Sequence, residues 1–174
     1  MAKYKSKPNK HKTNMSAAIE AGLIAGVISG MVKIGWEALL PPRTPERDNP
    51  NPPQHLLEQL RLPPRLLNAS YTYSKQQMPI AGFLMHFGFS TTFAVAYALA
   101  GQRLPKVKAG HGVIFGLGVW AAYHLYLLPK MHTIPAAKDQ PLAEHLSESF
   151  GHAVWMWTND VFISQLYQTL NHKQ

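Results

Sequence analysis

The chain has 174 residues, which is room for one domain, and a formal charge of +8 at neutral pH. It contains no cysteine, which excludes disulfide bonds and metal sites built from thiolates. The positive charge by itself would permit nucleic-acid binding, but no basic helix with interleaved aromatic residues is present. Positive loops are equally typical of membrane proteins, so we expect no nucleic-acid partner.

The charged residues are distributed unevenly along the chain. No Lys, Arg, Asp or Glu occurs over the 27 residues 76–102 or over the 21 residues 109–129. About 20 apolar residues in helical conformation cross a bilayer core, so both runs are long enough to span it. A soluble helical bundle is the alternative, but its helices seldom run so far without a charged, exposed face.

We therefore predict an all-α integral membrane protein that is a four-helix bundle and has the lipid bilayer as its partner. The predicted organisation is a basic cytoplasmic tail at 1–16 and a single membrane domain at 17–174, with spans near 17–40, 79–101, 110–129 and 142–168 and a proline-rich loop at 41–78. Four spans place both termini on one side. Lys and Arg are denser in the short segments of that side, which favours a cytoplasmic location for both termini.

The first predicted span carries a stripe of small residues followed by a pair of opposite charges. Gly22, Gly26 and Gly30 stand at i+4 steps, a spacing that permits close helix contact in lipid. The contact is either with another helix of the same chain or with a second copy in a homo-oligomer. Lys33 and Glu37 continue the stripe and can form an ion pair. Charges inside a span face the protein interior or water.

The predicted loop at 41–78 contains eight prolines, which block helix continuation. A short amphipathic helix is expected at 55–62, lying at the membrane interface or on the bundle.

The second and third predicted spans share one design, in which small residues precede a histidine. Gly82 and His86 lie on one small, polar face of the second span, and Gly116 and His124 lie on one face of the third. Because i+4 neighbours overlie each other on a helix, we expect these faces to point inward.

The fourth predicted span contains the sequence EHLSESFGHAVWMWTND at 144–160. Glu144, Glu148 and His152 stand at i, i+4 and i+8, and His145 stands three residues before Glu148, so all four share one helix face. Ionisable groups within an apolar, Trp-rich helix need water or a partner.

One depth is predicted for five ionisable residues of the four spans, namely Lys33, His86, His124, Glu148 and His152. Each is roughly 7 to 15 Å of helix away from the same side of the bundle, which is the periplasmic side if the termini are cytoplasmic. The predicted polar pocket therefore consists of Lys33, Glu37, His86, His124, Glu148 and His152, with Arg43 and Glu144 at its rim.

Three interpretations of the pocket stay open. Histidine titrates near neutral pH, so the pocket could relay or sense protons. Alternatively, a transition metal would be the cofactor, with His86, His124, Glu148 and His152 as its ligands. The third interpretation is a structural hydrogen-bond network that sets helix register. No GxGxxG, Walker, HExxH or GxSxG motif is present, so we expect no enzyme activity of those kinds.

Four stretches resemble the YagU-like family of bacterial inner-membrane proteins. They are GLIAGVISGMVKIGWEALLPPRTP at 22–45, HFGFSTTFAVAY at 86–97, His124 followed by Pro129, and EHLSESFGHAVWMW at 144–157. The resemblance implies a multi-pass inner-membrane protein linked with acid-stress survival and no established enzyme activity. The family pattern matches here at Lys33, Glu37, Pro42, Arg43, His86, His124, Ser147, Glu148, Gly151, His152 and Trp155. His145 departs from it.

Overall fold

The computed structural model of the protein describes residues 14–48, 51–73 and 75–171. Most of the predicted basic tail at 1–16 therefore lies outside the described residues. The described chain is mostly helical, which confirms the helical class that the sequence predicts. One short β-hairpin departs from the all-α prediction.

The first helix, α1, covers Met15–Leu39. Its start is capped by Asn14, whose side-chain oxygen accepts a hydrogen bond from the backbone N–H of Ala17 at 3.1 Å. The helix stops before Pro41 and Pro42, because proline donates no backbone hydrogen bond and restricts the residue before it.

The predicted loop after α1 has secondary structure of its own. Helix α2 covers Pro52–Gln59, where a short amphipathic helix was expected at 55–62, and α3 covers Pro64–Leu67. Strands β1 (Ser70–Tyr73) and β2 (Gln76–Pro79) form an antiparallel hairpin. All four residues of β1 are exposed, so the strand lacks the alternation of apolar and polar residues that predicts a half-buried strand from sequence.

Three further helical segments follow the hairpin. The second long helix, α4, covers Ile80–Arg103 and begins directly after Pro79. The third segment consists of α5 (Val113–Trp120), a π-helical stretch at Ala121–Leu127 and α6 (Leu128–Lys130). The last helix, α7, covers Leu142–Asn171.

Small residues set the distances between these helices. A Cβ atom on Gly26 would lie 2.5 Å from Cα of Thr91, and one on Gly22 would lie 2.7 Å from Cα of Val95. The glycine stripe of α1 is therefore covered by α4 of the same chain. On the other side, a Cβ on Gly116 would lie 2.5 Å from the backbone oxygen of His152, so α5 packs closely against α7.

The core between the helices is aromatic and well bonded. Trp155 is buried, and its indole N–H donates to Ser90 Oγ at 2.8 Å. The Ser90 hydroxyl in turn donates to the backbone oxygen of Gly26 at 2.7 Å. Phe89 packs edge-on against Tyr123 with ring centroids 5.0 Å apart, which links α4 to the third segment.

Two of the described helices, Met15–Leu39 and Ile80–Arg103, are long and apolar enough to cross a membrane. Their outward faces carry exposed aliphatic side chains such as Leu23, Met31 and Leu84. Contiguous exposed apolar surface of this kind marks contact with lipid or a partner.

Candidate functional site

Glu148 lies at the centre of a buried cluster of charged and titratable groups. Its side chain is 5% exposed. Nη2 of Arg43 lies 2.8 Å from Oε1 of Glu148. Three more nitrogens approach Oε2, namely Nζ of Lys33 at 3.8 Å, Nε2 of His124 at 3.7 Å and Nδ1 of His152 at 4.0 Å.

Each of these partners is positioned by a different local feature of the chain. His152 stands one helical turn after Glu148 on α7, and Lys33 stands in the last turns of α1. Arg43 follows Pro41 and Pro42, where the chain leaves α1. His124 belongs to the π-helical stretch that precedes Pro129, and such wide turns recur at functional sites.

In two of the histidines, a hydrogen bond to a backbone carbonyl shows which ring nitrogen carries the proton. Nδ1 of His152 lies 2.8 Å from the backbone oxygen of Glu148, and Nε2 of His86 lies 3.0 Å from the backbone oxygen of Gly30. Since a carbonyl only accepts, each of these nitrogens is the donor. The other ring nitrogen of each histidine is then a proton acceptor whenever the ring is neutral.

His124 differs from the other two histidines. Its Nδ1 is buried and has no hydrogen-bond partner within the described part of the chain. Its ring packs edge-on against His152, with centroids 5.0 Å apart. The two imidazoles therefore share one side of the Glu148 carboxylate.

A cavity of about 410 Å³ opens beside this cluster. Its apolar wall includes Phe89, Tyr123 and Trp155, and prolines of the loop after α1 cover it. All six residues of the predicted pocket line the cavity, namely Lys33, Glu37, His86, His124, Glu148 and His152.

The two predicted rim residues lie elsewhere than expected. Arg43 is 8% exposed and contacts Glu148, so it belongs to the centre of the cluster. Glu144 is buried but does not line the cavity. It forms a bidentate pair with Arg47, in which Nη2 lies 3.2 Å from Oε2 and Nε contacts Oε1.

Sequence reasoning missed the contribution of the loop residues Arg47 and Asp48. Asp48 lines the cavity, and partial burial raises the pKa of its carboxyl, while the nearby charge of Arg43 acts in the opposite direction. The signal was the charge run RTPERD directly after the double proline, which brings two arginines back towards α7.

The cluster is electrically balanced while its histidines are neutral. Lys33 pairs with Glu37, and Arg43 pairs with Glu148, so two cations meet two carboxylates. A proton taken up by an imidazole is then a charge outside these two pairs, with the partly buried Asp48 as the remaining carboxylate of the cavity, and its burial is costly unless water or a structural change accommodates it.

The same residues also offer a set of metal ligands. Among the described residues, His124, Glu148 and His152 each present a ligand atom, and these atoms lie within 4.8 Å of one another. His86, which the sequence suggested as a fourth ligand, is not in this group, and its Nε2 donates to the backbone oxygen of Gly30. Lys33 and Arg43 beside Glu148 oppose the binding of a dication.

Two long apolar helices beside a buried charged cluster fit the class of helical membrane proteins. The chain belongs to the family described as a protein of unknown function, DUF1440, which matches residues 27–161. It is 31% identical to the inner membrane protein YagU of Escherichia coli (strain K12) over an alignment of 188 positions, which covers 95% of this chain and 91% of the relative. The predicted YagU-like family is thereby confirmed. No solved structure matches the chain.

Proposed function

We propose that the chain is a multi-pass bacterial inner-membrane protein that senses or handles protons through the Glu148 cluster and so supports survival of acid stress. In this proposal all four helical segments span the bilayer, both termini are cytoplasmic and the cavity faces the periplasm. The relative YagU is named an inner membrane protein, which supports the proposed location.

The distribution of side chains on α7 supports its role as a span, although it is the most polar of the long helices. Its inward side carries Glu148, His152 and Asp160, which are buried. Its outward side carries Leu146 and Phe150, each 60% exposed. A helix on a soluble protein has the reverse arrangement, whereas lipid favours apolar side chains outside and polar ones inside.

The observation that carries the proposed proton function is the approach of four cationic or titratable nitrogens to the single carboxylate of Glu148. With neutral imidazoles the local charge is balanced. Acidification adds charge at His124 and His152, where Glu37 and Glu148 are already paired with Lys33 and Arg43. The resulting repulsion favours hydration of the cavity or a change in helix packing, which converts external pH into a structural signal.

The proposal is tested by survival of acid shock in cells that carry the protein as their only member of the family. We expect Glu148→Gln and His152→Ala to abolish protection while the amount of protein in the membrane fraction stays unchanged. The matched controls are Glu20→Gln and His132→Gln, which alter exposed side chains outside the cavity and should protect like the wild type. Protection that is unchanged in both cluster variants would show the proton function to be wrong.

A metal site is the second candidate function, because the ligand atoms of His124, Glu148 and His152 lie within 4.8 Å of one another. Elemental analysis of the purified protein distinguishes the two functions. A stoichiometric transition metal that is lost in His124→Ala would favour metal binding. Metal contents equal in the wild type and His124→Ala would leave the proton function as the explanation of the cluster.

A further inference from the structure

Three basic side chains are gathered at the end of the helices opposite to Glu148, where α4 ends and the chain turns towards α5. Arg103 is the last residue of α4, and Lys106 and Lys108 stand in the 3₁₀ turn Pro105–Lys108 that follows. We call these three residues the basic patch. Within the described part of the chain, none of the three forms an ion pair or a side-chain hydrogen bond. Their charge is therefore not used inside the protein.

The negative charge near the basic patch is too small to balance it. The carbonyl groups at the end of α4 together carry about half an elementary charge. Among the described residues, the acidic side chains near this end of the helices are Glu20 of α1 and Asp160 of α7. Asp160 is 8% exposed and already accepts hydrogen bonds from other partners. Even when Glu20 is counted in full, positive charge remains in excess at this end.

The connection that carries the basic patch is held firmly against the helices. A Cβ atom on Gly101 would lie 2.6 Å from Cε of Lys108, so the aliphatic part of the Lys108 side chain lies directly on α4. Further along, Asp160 accepts a hydrogen bond from the Tyr97 hydroxyl at 2.8 Å and one from Nδ1 of His111 at 3.2 Å. These bonds join the connection to α4 and α7. A ligand that binds here has less side-chain and backbone freedom to remove.

The Asp160 anchor also explains the unusual backbone of the connection. Gly110, His111 and Gly112 have φ values of 62°, 53° and 80°, three left-handed residues in succession. A histidine with positive φ is uncommon and persists only where the surrounding structure stabilises it. The hydrogen bond from His111 to Asp160 supplies this stabilisation and leaves the position of the preceding lysines well defined.

Exposed aliphatic side chains lie on both sides of the basic patch. Leu104 stands between Arg103 and Lys106 and is 60% exposed, and Ile114 in the first turn of α5 is 62% exposed. Cations beside aliphatic side chains are complementary to a molecule that has both an anionic head and alkyl chains. A free phosphate or a nucleic acid would leave the two aliphatic side chains in water. The combination therefore favours a lipid as the partner of this surface.

We propose that the basic patch binds the phosphate of an anionic phospholipid, with Leu104 and Ile114 against its acyl chains. Since α4 is long and apolar enough to cross a membrane, its last residue Arg103 lies at the level of the headgroups. The guanidinium can donate two parallel hydrogen bonds to a phosphate, and the two lysines act as point charges. The fitting head is a phosphodiester without a cationic group, as in phosphatidylglycerol, because the lysines would repel an ammonium group. The proposal does not depend on proton binding at the Glu148 cluster.

The proposal is tested by native mass spectrometry of the full chain in a non-ionic detergent. Phosphatidylglycerol or phosphatidylcholine with the same acyl chains is added, and bound lipid is counted. We expect tighter binding of phosphatidylglycerol, and at least roughly tenfold weaker binding in the triple variant Arg103→Gln/Lys106→Gln/Lys108→Gln. The reason is that each basic side chain near an anionic surface contributes about a fivefold increase in affinity. Binding of phosphatidylcholine should not change.

The matched control removes the same number of charges from exposed positions elsewhere, in the variant Arg65→Gln/Lys75→Gln/Lys138→Gln. It should bind phosphatidylglycerol like the wild type. Both triple variants keep the five lysines that precede Asn14 in the sequence, so that segment contributes equally to each. If the patch variant does not accumulate in the membrane, the single variant Lys106→Gln replaces it, with an expected loss of about fivefold.

Several outcomes would overturn the proposal. One is equal affinity of the wild type and the patch variant for phosphatidylglycerol, and another is an equal loss in the control variant. Displacement of the lipid by an equal concentration of glycerophosphoglycerol, which has the same head without acyl chains, would identify a free phosphate ester as the ligand. Tight binding of a single-stranded oligonucleotide that is lost in the patch variant would identify a nucleic acid instead. Glu148→Gln should bind phosphatidylglycerol like the wild type, which separates this surface from the proposed proton function.

Discussion

Arg43 and Glu148 form a buried ion pair, with Nη2 of the guanidinium 2.8 Å from Oε1 of the carboxylate. Arg43 stands in the loop after α1, and Glu148 stands in the second turn of α7. The pair makes the proline-rich loop a part of the polar cluster. It also makes the conformation of that loop dependent on the charge balance around Glu148, beside which His124 and His152 would take up protons in the proposed function.

The Arg43→Ala substitution should destabilise the protein strongly. It leaves the Glu148 carboxylate buried with only the more distant Lys33 as a full cation, and an uncompensated buried charge costs about 3 kcal/mol or more. Thermal unfolding of the purified protein measures the effect, with the exposed Arg65→Ala as the control. Addition of Glu148→Gln to Arg43→Ala should recover much of the loss. Equal stability of the single and double variants would contradict the pairing.

The Gly26→Ala substitution should weaken the packing of α1 on α4. Its new Cβ would lie 2.5 Å from Cα of Thr91, so the two backbones would have to separate, at a cost of about 1 to 3 kcal/mol. The matched control is Gly35→Ala, since no atom from another part of the described chain lies within 4 Å of a Cβ at that position. Thermal unfolding of both variants in one detergent should show a lower unfolding temperature for Gly26→Ala and an unchanged one for Gly35→Ala. Similar values for the two would mean that the glycine stripe does not set the helix distance.

The Asp48→Asn substitution should stabilise the protein at neutral pH. Burial raises the pKa of the Asp48 carboxyl in the folded state, so folding favours its protonated form. The contribution of Asp48 to stability is therefore greatest below its unfolded pKa of about 4 and is lost as pH rises through the folded value. The unfolding temperature of Asp48→Asn should exceed that of the wild type near about pH 7, and the difference should vanish below about pH 4. The exposed Asp139→Asn is the control, and an equal gain at both pH values would contradict the expectation.

The Arg47→Ala substitution should open the cavity. Arg47 and Glu144 join the loop to α7, and the pair is partly exposed, so its loss should cost about 1 kcal/mol or less. Because the chain has no cysteine, Met85→Cys places one thiol on the cavity wall. Its rate of alkylation should rise by up to about fivefold when Arg47→Ala is added. Lys138→Ala is the control at an exposed position, and a rate that changes equally there would exclude a specific role of the pair.

The sequence by itself determined the helical class, the family and the composition of each helix face. Glu148 and His152 share a face of α7 because they stand four residues apart, and the same rule aligns Lys33 with Glu37 on α1. Their distances from the helix ends follow from the constant rise of a helix. These properties depend on hydrogen bonds within one segment, so local spacing is sufficient to predict them.

The tertiary structure decided which segments approach each other. The position of Arg43 at the centre of the cluster depends on how the chain turns back at Pro41 and Pro42. The bidentate pair of Arg47 with Glu144 requires the same turn. The β-hairpin formed by β1 and β2 was not predicted, because β1 lacks the alternation of buried and exposed residues by which a strand is recognised in a sequence. The ion pairs of Arg43 and Arg47 with α7 join residues that are far apart along the chain, and helical periodicity contains no information about them.

Asp160 shows the difference most clearly. Its place on α7 follows from sequence spacing, but its partners Tyr97 and His111 come from α4 and from a connection of three left-handed residues. Gly112 of that connection packs closely against Tyr97 and Met156, which are distant in sequence. Local backbone geometry therefore determines which side chains share a helix face, whereas packing between segments determines which of those side chains become a site.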